Sequence, residues 1–212
     1  VTRVADVAGL ADVPGDAADS LRSGGLVIYP TDTLYGMGVD PRSPAALDRL
    51  FRVKGREAGK PIPLLLAGPG QVECWAGCVP EAASALMARF WPGALTLVLP
   101  AAAGVLPAIT GGGETVGLRV PAHPVARTLA ASAGGAVTGT SANRAGEAGG
   151  WQSADALLAE FAAEADWLLW DGPAGSALPS TVVSVSASGT VSLVREGTIP
   201  LRVINEYLKG RR

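Results

Sequence analysis

"FRVKGREAGKPIPLLL", residues 51–66, passes from a helical pattern to a strand pattern through a loop that holds two glycines, and it carries two of the three lysines in the chain. Leu47, Leu50, Phe51 and Lys54 recur at i, i+3, i+4 and i+7, the spacing of one helix face. Ser43 followed by Pro44 supplies an N-cap and a first helical residue, and Gly55 supplies the stop, so the pattern predicts a helix over 43–54. Beyond the loop, Ile62–Ala67 is an apolar run of strand length. Lys54 leaves the apolar face in the last turn, with its ammonium expected near the edge of the core, where it favours the helix C-terminus. Arg49, Arg52 and Arg56 run along a neighbouring stripe expected to face solvent.

The same alternation continues through the chain. Leu26–Pro30, Ile62–Ala67, Ala94–Leu99, Thr115–Val120, Ala136–Thr140, Trp167–Trp170, Thr181–Val185 and Val191–Val194 read as strands. Helical patterns lie near 15–23, 43–54, 80–90, 123–133, 153–164 and 200–208, with Ser153 as a further N-cap. No internal repeat or polar linker interrupts them, which predicts one α/β domain over residues 1–212 with a mixed sheet. The late strands, separated only by glycine-containing turns, argue against a purely parallel, doubly wound sheet.

A net charge of -2 makes the local basic cluster at 49–60 conspicuous. With 48% apolar and 17% charged residues the composition is that of a globular protein, not a disordered one. No apolar run approaches the roughly 18 residues that a membrane helix needs, and the first residues lack the basic-then-apolar pattern of a secretory signal, so a cytoplasmic protein is expected. Cys74 and Cys78 form a C-x3-C without a second pair, and His123 stands far from them. Two reduced, packed thiols are expected there, since a zinc site takes about four ligands. "GREAGKP" imitates a phosphate-binding loop but lacks one residue between its glycines and has Pro61 where a magnesium-binding hydroxyl belongs. No G-x-G-x-x-G follows a strand. "GTSAN" is not a nucleophile elbow.

Five polar segments adjoin apolar strands: "YPTDTLYGMG" (29–38), "TVGLRVPAHP" (115–124), "TGTSANRAG" (138–146), "LPSTVVS" (178–184) and "VREGTI" (194–199). Singly, each of their polar residues is an ordinary strand-end residue. Together with Lys54–Pro61 and Trp91–Leu99, the ordered pieces Pro30–Gly38, Arg119–Pro121, Ser141–Gly146, Ser180–Ser184 and Arg195–Gly197 resemble the YrdC-like threonylcarbamoyl-AMP synthases over about residues 20 to 200. Two positions depart from that pattern: Ala145 replaces a hydroxyl residue and Ser184 an acid. The chain resembles the short single-domain form of the family.

The resemblance implies a twisted, mixed open α/β sheet with flanking helices around a basic cleft. It implies a synthase that joins L-threonine, bicarbonate and ATP into threonylcarbamoyl-AMP and pyrophosphate, with magnesium arriving on ATP and no protein metal site. Every participant is anionic, so the site's task is to gather and align negative charge. Lys54 and Arg56 are the implied catalytic residues, and they bind ATP together with Thr115, Ser141, Asn143 and Arg195. Thr31, Arg119, Ser180 and Thr181 are the implied threonine site, with the Thr31 and Thr181 hydroxyls expected to meet the substrate hydroxyl. The implied partner is a separate tRNA threonylcarbamoyltransferase; no membrane is involved, and direct tRNA binding is compatible but not required. Two other readings stay open: an RNA-binding module, and a carbamoyl-transfer domain that uses carbamoyl phosphate.

Overall fold

The computed structural model describes residues 2–55, 59–144, 151–174, 176 and 178–210. In chain order the first half comprises β1 (Arg3–Asp6), α1 (Gly15–Arg22), β2 (Val27–Tyr29), β3 (Gly36–Gly38), α2 (Pro44–Lys54), β4 (Leu64–Leu66), a 3-10 turn (Pro69–Cys74), α3 (Glu81–Phe90) and β5 (Leu95–Pro100). The second half comprises α4 (Pro107–Thr110), β6 (Thr115–Arg119), α5 (Pro124–Ser132), β7 (Ala136–Thr138), β8 (Thr140–Ser141), α6 (Ala154–Phe161), β9 (Trp167–Trp170), β10 (Thr181–Val185), β11 (Val191–Arg195) and α7 (Leu201–Lys209).

The strands form two mixed sheets, where the sequence pattern suggested one. One has the order β1-β9-β2-β3-β8 and the other β11-β10-β5-β6-β4-β7. The division falls where Ala136–Thr140 was expected to be a single strand. β7 pairs antiparallel with β4, and after Gly139 the chain crosses to pair β8 with β3. Only glycine fits this crossing, because a Cβ at 139 would lie 2.7 Å from Leu65 Cγ, while the Gly139 amide donates to Pro63 O at 2.7 Å.

Local sequence accounts for the helix ends. Ser43 Oγ accepts from the Ala46 amide at 3.3 Å, Pro44 opens α2, and Gly55 ends it in the left-handed region at φ 58°. Ser153 Oγ likewise accepts from Ala156 N at 3.2 Å at the start of α6. Leu47 and Leu50 are fully buried and join β4, β5 and β6 residues in the larger of two apolar clusters. A second cluster, around Tyr29, Val125, Leu129 and Leu169, packs α1 and α5 against residues of both sheets, Val27, Tyr29 and Leu169 of one and Leu65 and Val137 of the other.

Arg49 does not lie on a solvent stripe. Its Nη1 pairs with Asp166 Oδ2 at 2.7 Å and its Nη2 donates to Glu164 O at 2.7 Å, while the same carboxylate oxygen accepts the Leu26 amide. The pair thereby ties α2 to the entry of β9. Arg49→Ala is expected to cost about 1–2 kcal/mol, because it removes two charge-assisted bonds at a half-buried site, and to lower Tm by a few degrees. Thermal denaturation checks this; unchanged melting would show that the pair contributes nothing. Cys74 and Cys78 are free, as expected, but exposed rather than packed, because Trp75 and Ala76 between them take the inward positions. No helix among the described residues is long and apolar enough to cross a membrane.

Candidate active site

A cavity of about 310 Å³ opens on one face of the six-stranded sheet. Strand register explains its floor. Arg195 on β11 lies opposite Val182 on β10, Val182 opposite Thr96 on β5, and Leu65 on β4 opposite Arg119 on β6. The β5–β6 register, Leu97 against Leu118, continued by one residue sets Thr96 across from Arg119. The row Arg195, Val182, Thr96, Arg119, Leu65 thus crosses the sheet on one face, and all five residues line the cavity. The facing wall is built from Thr31, Thr33, Leu34, Tyr35 and Gly36 at the turn into β3, and from Gly139, Thr140 and Ser141.

The turn into β3 is shaped by Tyr29. Its ring lies over β3, so that a Cβ at Gly36 or Gly38 would come within 2.7 Å of it, and its hydroxyl donates to Thr138 O at 2.7 Å. Burial raises the Tyr29 phenol well above its ordinary value, a shift that the positive charge of Arg119 partly offsets. Burial likewise pushes Tyr35 up to about 12. Both rings therefore stay neutral; Tyr35 lines the cavity, and Tyr29 backs β3.

Arg119 is only 5% exposed. Its Nε donates to Gly93 O at 2.9 Å and its Nη1 to Thr33 Oγ1 at 3.0 Å. Nη2 stands 2.7 Å from Asp32 Oδ1, an ion pair in which no N–H is aimed at the oxygen, so this buried atom makes no hydrogen bond. Asp32 Oδ1 is itself held by the Ala122 amide at 2.9 Å. A guanidinium has five N–H bonds, so one anchored on Gly93 O and Thr33 Oγ1 and paired with Asp32 keeps further N–H capacity for a carboxylate or phosphate oxygen in the cavity it lines. Arg195 donates to Ser180 O at 3.0 Å. Although Arg195 as a residue is exposed, its enclosed guanidinium is held below its ordinary value, first by desolvation and then by the like charge of Arg119. Arginine remains protonated, so both arginines of the cavity floor bring positive charge to it.

The remaining expected residues fall into two groups. Thr31, Thr115, Arg119, Ser141, Ser180 and Arg195 line the cavity together. Lys54, Asn143 and Thr181 stand behind it. Lys54 is not near the edge of the core but 3% exposed, because the loop after β8 folds over its ammonium. Lys54 Nζ donates to Ser141 O at 2.6 Å, to Asn143 O and to Asn143 Oδ1 at 3.2 Å, and Ser141 Oγ also donates to Asn143 Oδ1. Arg144 fastens the same loop to α6 and α2 through Glu160, Glu164 and Val53 O, and its pairing with those two carboxylates holds its guanidinium above the ordinary value. Arg56 and Ala145 lie outside the described residues. Thr33 and Thr96 line the cavity without having been assigned a role; the signal for Thr96 was a lone hydroxyl in the apolar run "LTLVL".

Comparison with known proteins identifies relatives by sequence and by fold. The Sua5/YciO/YrdC family model, described as telomere recombination, matches residues 19–197. A threonylcarbamoyl-AMP synthase of Alkalilimnicola ehrlichii is 39% identical over 176 residues, which cover 82% of this chain and 91% of the relative. The threonylcarbamoyl-AMP synthase of Pyrococcus abyssi is 36% identical over 192 residues, 91% of this chain. The chain spans only 56% of that archaeal relative. The crystal structure of P. abyssi Sua5 complexed with L-threonine superposes with a TM-score of 0.85 at 36% identity, over 91% of this chain and 56% of that one. By sequence and by fold, the chain belongs to the Sua5/YciO/YrdC family.

Proposed function

We propose that this protein is an L-threonylcarbamoyladenylate synthase, a nucleotidyltransferase. The amine of threonine takes up bicarbonate as a carbamate with loss of water. A carbamate oxygen then attacks the α-phosphorus of ATP, and pyrophosphate leaves. The observation that carries the reading is Arg119, buried and anchored, on the floor of a cavity lined by hydroxyls and by a second arginine. Arg119 receives the threonine carboxylate, with Thr31 and Ser180 close by. Arg195, Thr115 and Ser141 face the triphosphate, and Lys54 and Asn143 hold the Ser141 loop in place. Such a reaction needs aligned positive charge and no protein nucleophile.

Magnesium arrives as the ATP complex. Among the described residues that line the cavity none is a carboxylate, and Asp32 beneath it is engaged by Arg119 and the Ala122 amide. The product is consumed by a separate enzyme that transfers the threonylcarbamoyl group to adenosine in tRNA, which places the work in the cytoplasm.

Pyrophosphate release from ATP is expected to require both L-threonine and bicarbonate. Equal release when either is omitted would sink the reading. Activity with carbamoyl phosphate in place of bicarbonate would point to carbamoyl transfer instead.

A further inference from the structure

We propose that the hydroxyl pair of Thr96 and Ser180, and not Thr31 or Thr181, reads the side-chain hydroxyl of the amino-acid substrate, with Thr96 as a specificity-determining residue. The inference rests on threonine being that substrate and follows from where each hydroxyl proton goes.

A hydroxyl has one proton to donate and two lone pairs to accept with. Thr181 Oγ1 donates to Ile199 O at 2.6 Å and accepts from the amides of Gly197 and Ile199 at 2.9 and 3.0 Å. It is saturated and 0% exposed, and its work is to fold the 197–199 turn against β10. Thr31 is spent as well. Its Oγ1 donates to Leu34 O at 2.6 Å and accepts the Thr33 amide at 3.1 Å. The contact between the Thr31 and Thr33 hydroxyls, 3.1 Å, has only one possible direction. Thr31 has already given its one proton to Leu34 O, so Thr33 Oγ1, which accepts from Arg119 Nη1, sends its own proton on to Thr31. The relay runs Arg119 to Thr33 to Thr31 to Leu34 O, leaving Thr31 neither proton nor lone pair for a ligand.

Thr96 and Ser180 differ. Their oxygens are 2.9 Å apart, and either can donate to the other. Whichever does, the pair retains one proton and free lone pairs, so it can both donate to and accept from a ligand hydroxyl. Both residues are buried, at 3% and 8% exposure, and both line the cavity. A buried hydroxyl with an unspent proton is costly until a partner arrives. The placement suits one ligand group. Thr96 neighbours Arg119 across β5 and β6, at the roughly 5 Å spacing of cross-strand side chains. In a β-hydroxy amino acid the carboxylate and the hydroxyl sit on adjacent carbons, so a carboxylate on Arg119 brings the hydroxyl to Thr96. On the other side of Thr96 the floor row continues with Val182, an apolar surface for the methyl group.

The test compares L-threonine with L-2-aminobutyrate, which differs only in lacking the hydroxyl, using pyrophosphate release and calorimetric binding. For wild type, threonine is expected to be favoured by roughly 10³-fold or more, as for sites that hydrogen-bond a substrate hydroxyl. Thr96→Val keeps the shape of the strand residue and removes the hydroxyl. It is expected to lower kcat/KM for threonine about 10- to 100-fold with little change for 2-aminobutyrate, so that the preference narrows by about ten-fold or more. Ser180→Ala should do the same, and Thr96→Ser should restore the preference. Thr181→Val is expected to lower Tm while leaving the ratio intact. If Thr96→Val keeps the wild-type ratio, or lowers both substrates equally, Thr96 is structural and the proposal is overturned. If wild type neither turns over nor binds threonine, the functional reading itself fails and takes this proposal with it.

Discussion

Arg119→Ala is expected to lower kcat/KM for threonine by about 10³-fold or more. Breaking a buried, hydrogen-bonded charge pair costs roughly 3–5 kcal/mol, and each 1.36 kcal/mol is a decade of rate. The loss has two sources that can be separated. One is the carboxylate partner itself. The other is the scaffold around it, since Gly93 O and Thr33 Oγ1 lose their donor and Asp32 loses its ion-pair partner. Arg119→Lys divides them. A single ammonium keeps the charge but cannot reach three separate anchors and a ligand in the guanidinium's planar fork. It should recover part of the melting temperature and little of the activity, with KM for threonine raised far more than KM for ATP. Wild-type KM for threonine in Arg119→Ala, or full activity in Arg119→Lys, would contradict a carboxylate clamp at this position.

Most of the regular elements were legible in the sequence because their ends are written in residue chemistry. Ser43, Pro44 and Gly55 bound α2 where the pattern put them, and Ser153 caps α6. What escaped is equally physical. β3 is Gly36–Met37–Gly38, and glycines read as a loop. They are glycine because the Tyr29 ring lies across the strand, a contact between residues on different strands that no local pattern carries. The split between two sheets turns on Gly139 in the same way, through its approach to Leu65 and Pro63. At the site, the identity of polar residues marked the region, and six of the expected ones do line a single cavity. Which hydroxyls of the region still have hydrogen-bonding capacity depends on partners in other segments, Ile199 for Thr181 and Arg119 for Thr33. The sequence names the donors; only the fold says which are already engaged.

Lys54 is where that distinction has its largest effect on stability. A lysine seen only as the last turn of a helix contributes about 0.3–1 kcal/mol through the helix dipole, and its removal would scarcely alter folding. In the folded chain it is buried, with Ser141 O, Asn143 O and Asn143 Oδ1 as acceptors. Lys54→Ala strands those oxygens and opens a void behind the Ser141 loop. The expected cost is about 3–5 kcal/mol, which for a chain of this length lowers Tm by roughly 10 °C. Lys54→Met keeps the aliphatic stem and isolates the lost ammonium, so it should recover some but not most of that loss. Arg52→Ala, two residues back on the exposed face of α2, should melt within about 0.5 kcal/mol of wild type and is the control. Turnover in the two Lys54 variants should fall through a higher KM for ATP, because Ser141 loses its support. A direct phosphate ligand would behave differently: KM for ATP would rise while Tm stayed at the wild-type value. Melting and ATP kinetics on the same three variants therefore decide whether Lys54 grips the triphosphate itself or grips the loop that does.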